Sequence, residues 1–236
     1  MAGGPTADYT PLRARRYERK FLVEELPLHQ VLALVRLHPQ MFFAPYPPRY
    51  INNLYLDTAD LENYQDNVCG AERRRKVRVR WYGALGGSLA RPVLECKFKE
   101  GPVGGKISYP LNGFPLDAEF SGRTLQRAAA VSNLPTIVQQ ELRTMQVVLL
   151  NRYYRHYFAS RDGRFRVTVD TELAFYRANG ALGNSLAHRQ VDRRGVILEL
   201  KYDVADEPAA GRVAGFFPFR MTRSSKYVQG MERVYF

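Results

Sequence analysis

Charged residues fall on alternate positions in five separate stretches of this chain, and in most of them arginine, lysine and carboxylates share one face. The stretches are Arg16–Lys20, Arg73–Arg80, Glu95–Lys99, Arg164–Asp170 and Glu199–Lys201. Successive side chains of a strand point to opposite faces of its sheet. Glu95, Lys97 and Lys99 therefore share one face, with Leu94, Cys96 and Phe98 on the other. Arg164, Arg166, Thr168, Asp170 and Glu172 oppose Phe165, Val167, Val169 and Thr171 in the same way. One such strand reads as an ordinary solvated face. Five of them, more consistently cationic than solvated faces are, fit a sheet whose charged side lines the bore of a barrel. Periodicity leaves open which side is the inside. Cations bind phosphates and carboxylates bind divalent metals, so one face carrying both can hold a metal-bound polyanion.

The 236 residues suit one large domain or two small ones. An excess of 35 Lys and Arg over 23 Asp and Glu gives a net charge of +12. That implies an anionic partner: nucleic acid, acidic membrane surface, nucleotide or polyphosphate. Cys69 and Cys96 are the two cysteines, which argues against a disulfide framework and a cysteine zinc site. Cys96 reads as a small buried hydrophobe. No stretch approaches the ~18 apolar residues of a membrane span, and the start lacks the apolar core of a signal peptide. The expected compartment is the cytoplasm. Residues 1–14 read as a flexible leader and 15–236 as a single domain.

The pattern predicts a first strand near Arg15–Glu24, a helix over Leu26–Leu37, a strand at Tyr50–Leu56 and a short helix at Ala59–Asn67. Strands follow at Arg73–Tyr82, Val93–Lys99 and Lys106–Tyr109, then a helical region from Leu116 to Gln146. Val147–Ser160 reads as a long strand, and Asp162-Gly163 as a tight turn into the next. A loop is expected over Asn179–Arg189, a strand at Val196–Tyr202, and helix with coil from Phe219 to Val234. The class is α+β: seven or eight mostly antiparallel strands with helices outside. If the charged faces point inward, the apolar faces point outward and need that cover.

Several motifs fail as chemistry. Gly101-Pro102-Val103-Gly104-Gly105-Lys106 is not a phosphate loop, because Glu100 stands at the first required glycine and Ile107 at the magnesium-binding hydroxyl. His29, His38, His156 and His188 lie in no setting that suggests a nucleophilic triad. The segment Asn151–Phe158 mixes cations and aromatics as a single-strand nucleic-acid platform would. Its aromatics are spread over both faces, however, and core packing accounts for them. The carboxylates Glu18, Glu95, Asp170 and Glu199 discriminate further. In a nucleic-acid groove they repel phosphate, whereas beside Mg²⁺ or Mn²⁺ they help to hold and orient it. The plain alternative is that each pairs with a neighbouring Arg or Lys.

Taken in order, eight segments resemble the triphosphate tunnel metalloenzymes (the superfamily of CYTH phosphatases and RNA triphosphatases), and within it the polyphosphate polymerase (VTC) domain. They are Arg16–Phe21, Asn53–Thr58, Lys76–Gly83, Leu94–Lys97, Asn151-Arg152, Arg166–Thr171, Leu198–Tyr202 and Ser224–Tyr227. The resemblance implies a closed antiparallel tunnel of eight β-strands with a basic interior and helices on the outside. It implies that Arg78, Arg80, Lys97, Arg152, Arg166 and Lys226 grip the reacting phosphates, with Lys20, Lys99, Lys201 and Arg223 binding substrate. Glu199, supported by Glu95, would ligate Mn²⁺ or Mg²⁺. The hydrolase branch opens with Glu-x-Glu-x-Lys; here Arg16 stands at the first Glu, leaving Glu18 and Lys20.

That departure favours a polymerase, which transfers the γ-phosphate of ATP onto a growing inorganic polyphosphate chain, with no nucleic acid among its partners. A tunnel-type triphosphatase and a non-catalytic polyphosphate or RNA binding module are the alternatives. Relatives of this kind sit on membrane-bound chains, so coupling to transport here would need a separate membrane partner.

Overall fold

The computed structural model describes residues 16–100, 103–178, 186, 188–192 and 195–236. The expected leader, Gly101-Pro102 and most of the expected loop over 179–189 lie outside the described residues. Eight antiparallel strands form one curled sheet, in the order β1 (Arg16–Val23), β11 (Val196–Asp203), β9 (Phe165–Arg177), β8 (Gln146–Ala159), β2 (Arg49–Asp57), β3 (Arg73–Tyr82), β5 (Val93–Glu100) and β6 (Val103–Pro110). The short β10 (Gln190–Val191) adds to β9, and β4 (Gly87–Leu89) pairs with β7 (Phe114–Leu116) outside the main sheet.

The outer face is apolar and covered. Helices α1 (Leu28–Arg36) and α5 (Glu207–Gly215) bury Phe21, Val167, Val169, Leu198 and Leu200 on one half. Helices α3 (Gly122–Ala130) and α4 (Thr136–Thr144) bury Val77, Val79, Trp81, Leu94 and Cys96 on the other. The helical region expected over Leu116–Gln146 is thus two helices. Ser121 and Thr124 form a capping box that starts α3, and Pro135, which lacks an N–H, can only lead into α4. No helix among the described residues is long and apolar enough to cross a membrane.

The tunnel is not closed by hydrogen bonds, which corrects the closed barrel expected from the sequence. β1 and β6 end the strand order and approach within 8 Å between Cα atoms, yet they do not pair. A competitor takes the free edge of β1: Phe21 bridges to Met221, and the Thr222 N–H donates to the Lys20 carbonyl at 2.8 Å. Curling is nonetheless deep. Lys20 Nζ on β1 donates to the Ser224 carbonyl at 3.0 Å, and Lys76 Nζ on β3 reaches Ser225 Oγ at 2.9 Å. Strands far apart in the sheet therefore meet through two adjacent residues.

Strict alternation breaks once on β9. Glu172 takes a left-handed φ of 53°, where the β8–β9 register shifts between Arg152 and Tyr154. An extra residue there re-aims the strand. Glu172 consequently leaves the face of Asp170, and its carboxylate accepts from Tyr50 Oη at 2.5 Å.

Candidate functional site

Register places the charged residues in rows along the inner face. Glu18 stands opposite Lys201, which stands opposite Arg166, and Lys20 opposite Glu199, which faces Thr168. On the other half Arg78 pairs in register with Glu95, and Lys76 with Lys97, which faces Lys106. Two carboxylate-centred clusters follow.

The first surrounds Glu199, with Lys201 at 3.0 Å, Lys226 at 3.4 Å, Lys20 at 3.6 Å and Arg155 at 3.7 Å. Fully buried Asp170 accepts a two-pronged pair from Arg155 at 2.6 and 2.7 Å, and Lys226 lies 2.7 Å away. Burial pushes the Glu199 pKa up, but Lys201, Lys226, Lys20 and Arg155 together hold it well below the carboxylate range. Glu18, sharing Lys20 and Lys201 at 3.6 Å each, is lowered to about 2: burial opposes the shift, and Lys201, Lys97 and Lys20 outweigh it. The second cluster surrounds Glu95, which accepts from Arg78 at 2.6 and 2.8 Å and from Lys106 at 2.7 Å, with Arg80 at 3.5 Å.

Lysines without such cover lie between the clusters. Lys97 makes no hydrogen bond or ion pair among the described residues. Burial, then the charges of Arg78, Lys201 and Arg80, drive its pKa well down against Glu18. Lys76 falls to about 7 through burial and the cations Lys20, Arg78 and Arg74. Desolvated, like-charged lysines of this kind are relieved by an arriving anion.

One end of the curl is filled. Helix α6 (Lys226–Tyr235) buries Tyr227 and Met231 among Ile51, Tyr55, Leu149, Tyr153, Phe175 and Ile197 of the inner face. Tyr227 stacks on Tyr55 at 4.8 Å and donates its hydroxyl to buried Asp57. Asp57 also accepts the N–H groups of Thr58, Asn63 and Tyr64 at the start of α2 (Glu62–Cys69). A Cβ on Gly230 would stand 2.5 Å from Leu149 and 2.6 Å from Phe175, so the close approach of α6 requires glycine.

A curled eight-stranded sheet with a cationic inner face and an apolar, helix-covered outer face is now in place. The model of the VTC domain family matches residues 15–235. The chain belongs to the VTC domain family. Its fold is that of the triphosphate tunnel proteins. At 15% identity, a candidate adenylate cyclase of Vibrio parahaemolyticus superposes with a TM-score of 0.54, over 92% of this chain and 98% of its own. A candidate adenylyl cyclase of Hippeastrum, for which a dominant triphosphatase activity is described, gives 0.50 at 16% identity, over 94% and 97%. No curated protein matches the sequence.

Within this VTC domain, the structure brings Lys20, Arg78, Arg80, Glu95, Lys97, Glu199, Lys201 and Lys226 together on the inner face. Arg166 and Lys99 share that face but are exposed. Arg223 precedes α6, exposed, with its charge reaching Lys99. Arg152 does not join them. It sits on the outer face, its guanidinium 3.7 Å from the centre of the Tyr50 ring. The arginine of β8 that does point inward is Arg155, and Asp170, Lys76, Lys106 and Tyr153 complete the lining. Tyr153 Oη lies 3.4 Å from Arg80, and its ring 5.1 Å from the Arg155 guanidinium.

No group of three His, Cys, Asp or Glu residues able to hold a metal ion occurs among the described residues. Both oxygens of Glu95 are engaged by Arg78 and Lys106. Glu199 and Glu18 share Lys20 and Lys201, and Glu199 also faces Lys226 and Arg155. The buried Thr168 hydroxyl in register with Glu199 has no hydrogen-bond partner among the described residues. Two carboxylates and a hydroxyl suit a hard cation that keeps its remaining positions for water and phosphate oxygens.

Proposed function

We propose that this VTC domain is a polyphosphate polymerase, transferring the γ-phosphoryl group of ATP to the end of an inorganic polyphosphate chain. The observation that carries the reading is the surplus of inner-face cations over carboxylates, with Lys97, Lys99 and Arg166 making no ion pair among the described residues. Arg78, Arg80, Lys97, Arg155 and Lys226 bind and align the triphosphate through their charge, the forks of Arg78 and Arg155 being held in place by Glu95 and Asp170. Lys20, Lys201, Lys99, Arg166 and Arg223 extend the cationic track. The described histidines stand elsewhere: His29 is exposed on α1, His38 binds the Val213 carbonyl in the outer core, His156 lies on the outer face opposite Val169, and His188 is exposed. Positioning and charge neutralisation therefore carry the reaction, as phosphoryl transfer requires. A terminal oxygen of the acceptor chain attacks the γ-phosphorus, the bond to the bridging β–γ oxygen breaks, and ADP leaves with that electron pair. Glu199 and Glu18 would hold Mn²⁺ or Mg²⁺, which when bound neutralises phosphate charge.

A second reading, a triphosphatase using water as acceptor, is favoured by α6, whose Tyr227 and Met231 occupy one end of the curl where a long product would otherwise pass. Incubation of the protein with ATP and Mn²⁺ separates the two. Long chains with ADP support the polymerase. Free phosphate with ADP makes it a triphosphatase, and no turnover leaves a binding module.

A further inference from the structure

Outside the curled sheet, α3 and α4 enclose a groove of about 580 Å³ lined by Arg123, Gln126, Arg127, Gln139, Leu142 and Arg143, among others. No carboxylate lines it. Arg123, Gln126 and Arg127 share one face of α3 at positions i, i+3 and i+4, and Gln139, Leu142 and Arg143 share one face of α4 in the same spacing. The three arginines are exposed and make no hydrogen bond or ion pair among the described residues.

Helix stability accounts for part of this set, since Arg127 and Arg143 stand in the last turns of their helices, where the dipole favours a cation, but not for Arg123. Arg123 and Arg127 are like charges one turn apart, which destabilises a helix. Arg123 also stands in the first turn of α3, where the helix dipole disfavours a cation. Glu141, a carboxylate of α4, is turned away to Arg75 of β3. Three guanidinium groups thus converge from two helices on a concave site, with two amides as further donors and buried Ala129 and Leu142 as its floor.

We propose that the α3–α4 groove is a second anion site that binds an oligophosphate, on the opposite side of the β3–β5 wall from Arg78, Arg80 and Lys97. Forked guanidinium groups match phosphoryl oxygens in pairs, and the volume lies within the range of small-ligand sites. Its ligand is a phosphate chain of two or more groups, free or as part of a nucleotide.

Titration calorimetry with tripolyphosphate on the full chain tests this. The wild type should bind at two sites, and the combined variant Arg123→Gln, Arg127→Gln, Arg143→Gln should lose one, by roughly tenfold or more in affinity, while the other keeps its affinity. Arg78→Gln with Lys97→Gln should do the converse, so failure of the inner site as a phosphate site leaves this proposal standing. A parallel titration with ADP identifies the source: tighter outer binding than tripolyphosphate indicates a nucleotide, weaker binding a free chain. Protection of Arg127 and Arg143 from phenylglyoxal by tripolyphosphate gives a readout needing no variant. Two sites surviving in the triple variant, or no protection of these arginines, would overturn it.

Discussion

Lys226 Nζ lies 2.7 Å from Asp170 Oδ2, joining the first residue of the last helix to the centre of the sheet's inner face. Asp170 is fully buried and holds Arg155 through its other contacts. The carboxylate thus fixes two cations at once, one from β8 and one from α6. Burial alone would push the Lys226 pKa down; Asp170 and Glu199 raise it instead. These two carboxylates thus favour the charged form of Lys226.

The seating of α6 sets where Lys226 points, and Gly230 sets the seating. Gly230→Ala forces a methyl against Leu149 and Phe175 and is expected to cost about 1–3 kcal/mol of stability. Turnover should fall more than this loss explains, because Lys226 withdraws from Asp170 and Glu199. Equal melting temperatures for variant and wild type would refute the packing argument.

Arg155→Ala and Arg152→Ala, two substitutions on one strand, should behave oppositely. Removing Arg155 leaves Asp170 with one cation and takes a guanidinium from the inner face. A stability loss of about 3–5 kcal/mol is expected from breaking such a buried pair, together with loss of triphosphate binding. Removing Arg152 forfeits an interaction with Tyr50 of about 0.5–1 kcal/mol and should leave triphosphate affinity unchanged. A calorimetric comparison that reversed this order would turn β8 inside out.

That pair also marks where the sequence stops being readable. On β3, β5 and β11 the alternation is clean, since Val77 and Val79, Leu94 and Cys96, and Leu198 and Leu200 are apolar opposite Arg78, Glu95 and Glu199. Parity alone sorts inner from outer there. β8 offers no such contrast: Arg152, Tyr154 and His156 lie on one face and Tyr153, Arg155 and Tyr157 on the other. Its register also slips against β2 between Tyr55 and Leu56 and against β9 between Arg152 and Tyr154. The pairing of Arg155 with Asp170 in register was the available signal, but it requires knowing which strands adjoin. The seam left open between β1 and β6 was hidden for a similar reason. It depends on a non-strand segment, Met221-Thr222, returning from the far end of the chain.

Glu199→Gln keeps the size of the side chain and removes its charge. Lys201, Lys226 and Lys20 then face the inner space with less compensation, so tripolyphosphate should bind as tightly as to wild type or more tightly. Turnover at limiting Mn²⁺ should be lost. Full activity of this variant under those conditions would falsify the assignment of Glu199 to the metal.

Lys76 makes phosphate binding depend on pH. In the free protein, burial and the charges of Lys20, Arg78 and Arg74 bring its pKa to about 7 from the ordinary 10.5. An arriving phosphate supplies the missing negative charge and restores the proton. Binding at pH 8 should therefore take up protons, which calorimetry in buffers of different ionisation enthalpy measures directly. The part of the uptake due to Lys76 should vanish at pH 5.5, where that lysine is already charged. Above pH 7 the affinity should fall by up to about tenfold per pH unit for each proton taken up. Lys97, also driven down, adds to the effect, so Lys76→Met should reduce the uptake without removing all of it. The same shift acts on folding with a definite sign. Between about pH 7 and 10.5 the unfolded chain holds a proton on Lys76 that the folded chain lacks, so this group's contribution to stability rises with pH across that window. Saturating tripolyphosphate should flatten the rise. Proton uptake in Lys76→Met equal to that of the wild type would remove Lys76 from the phosphate-binding face.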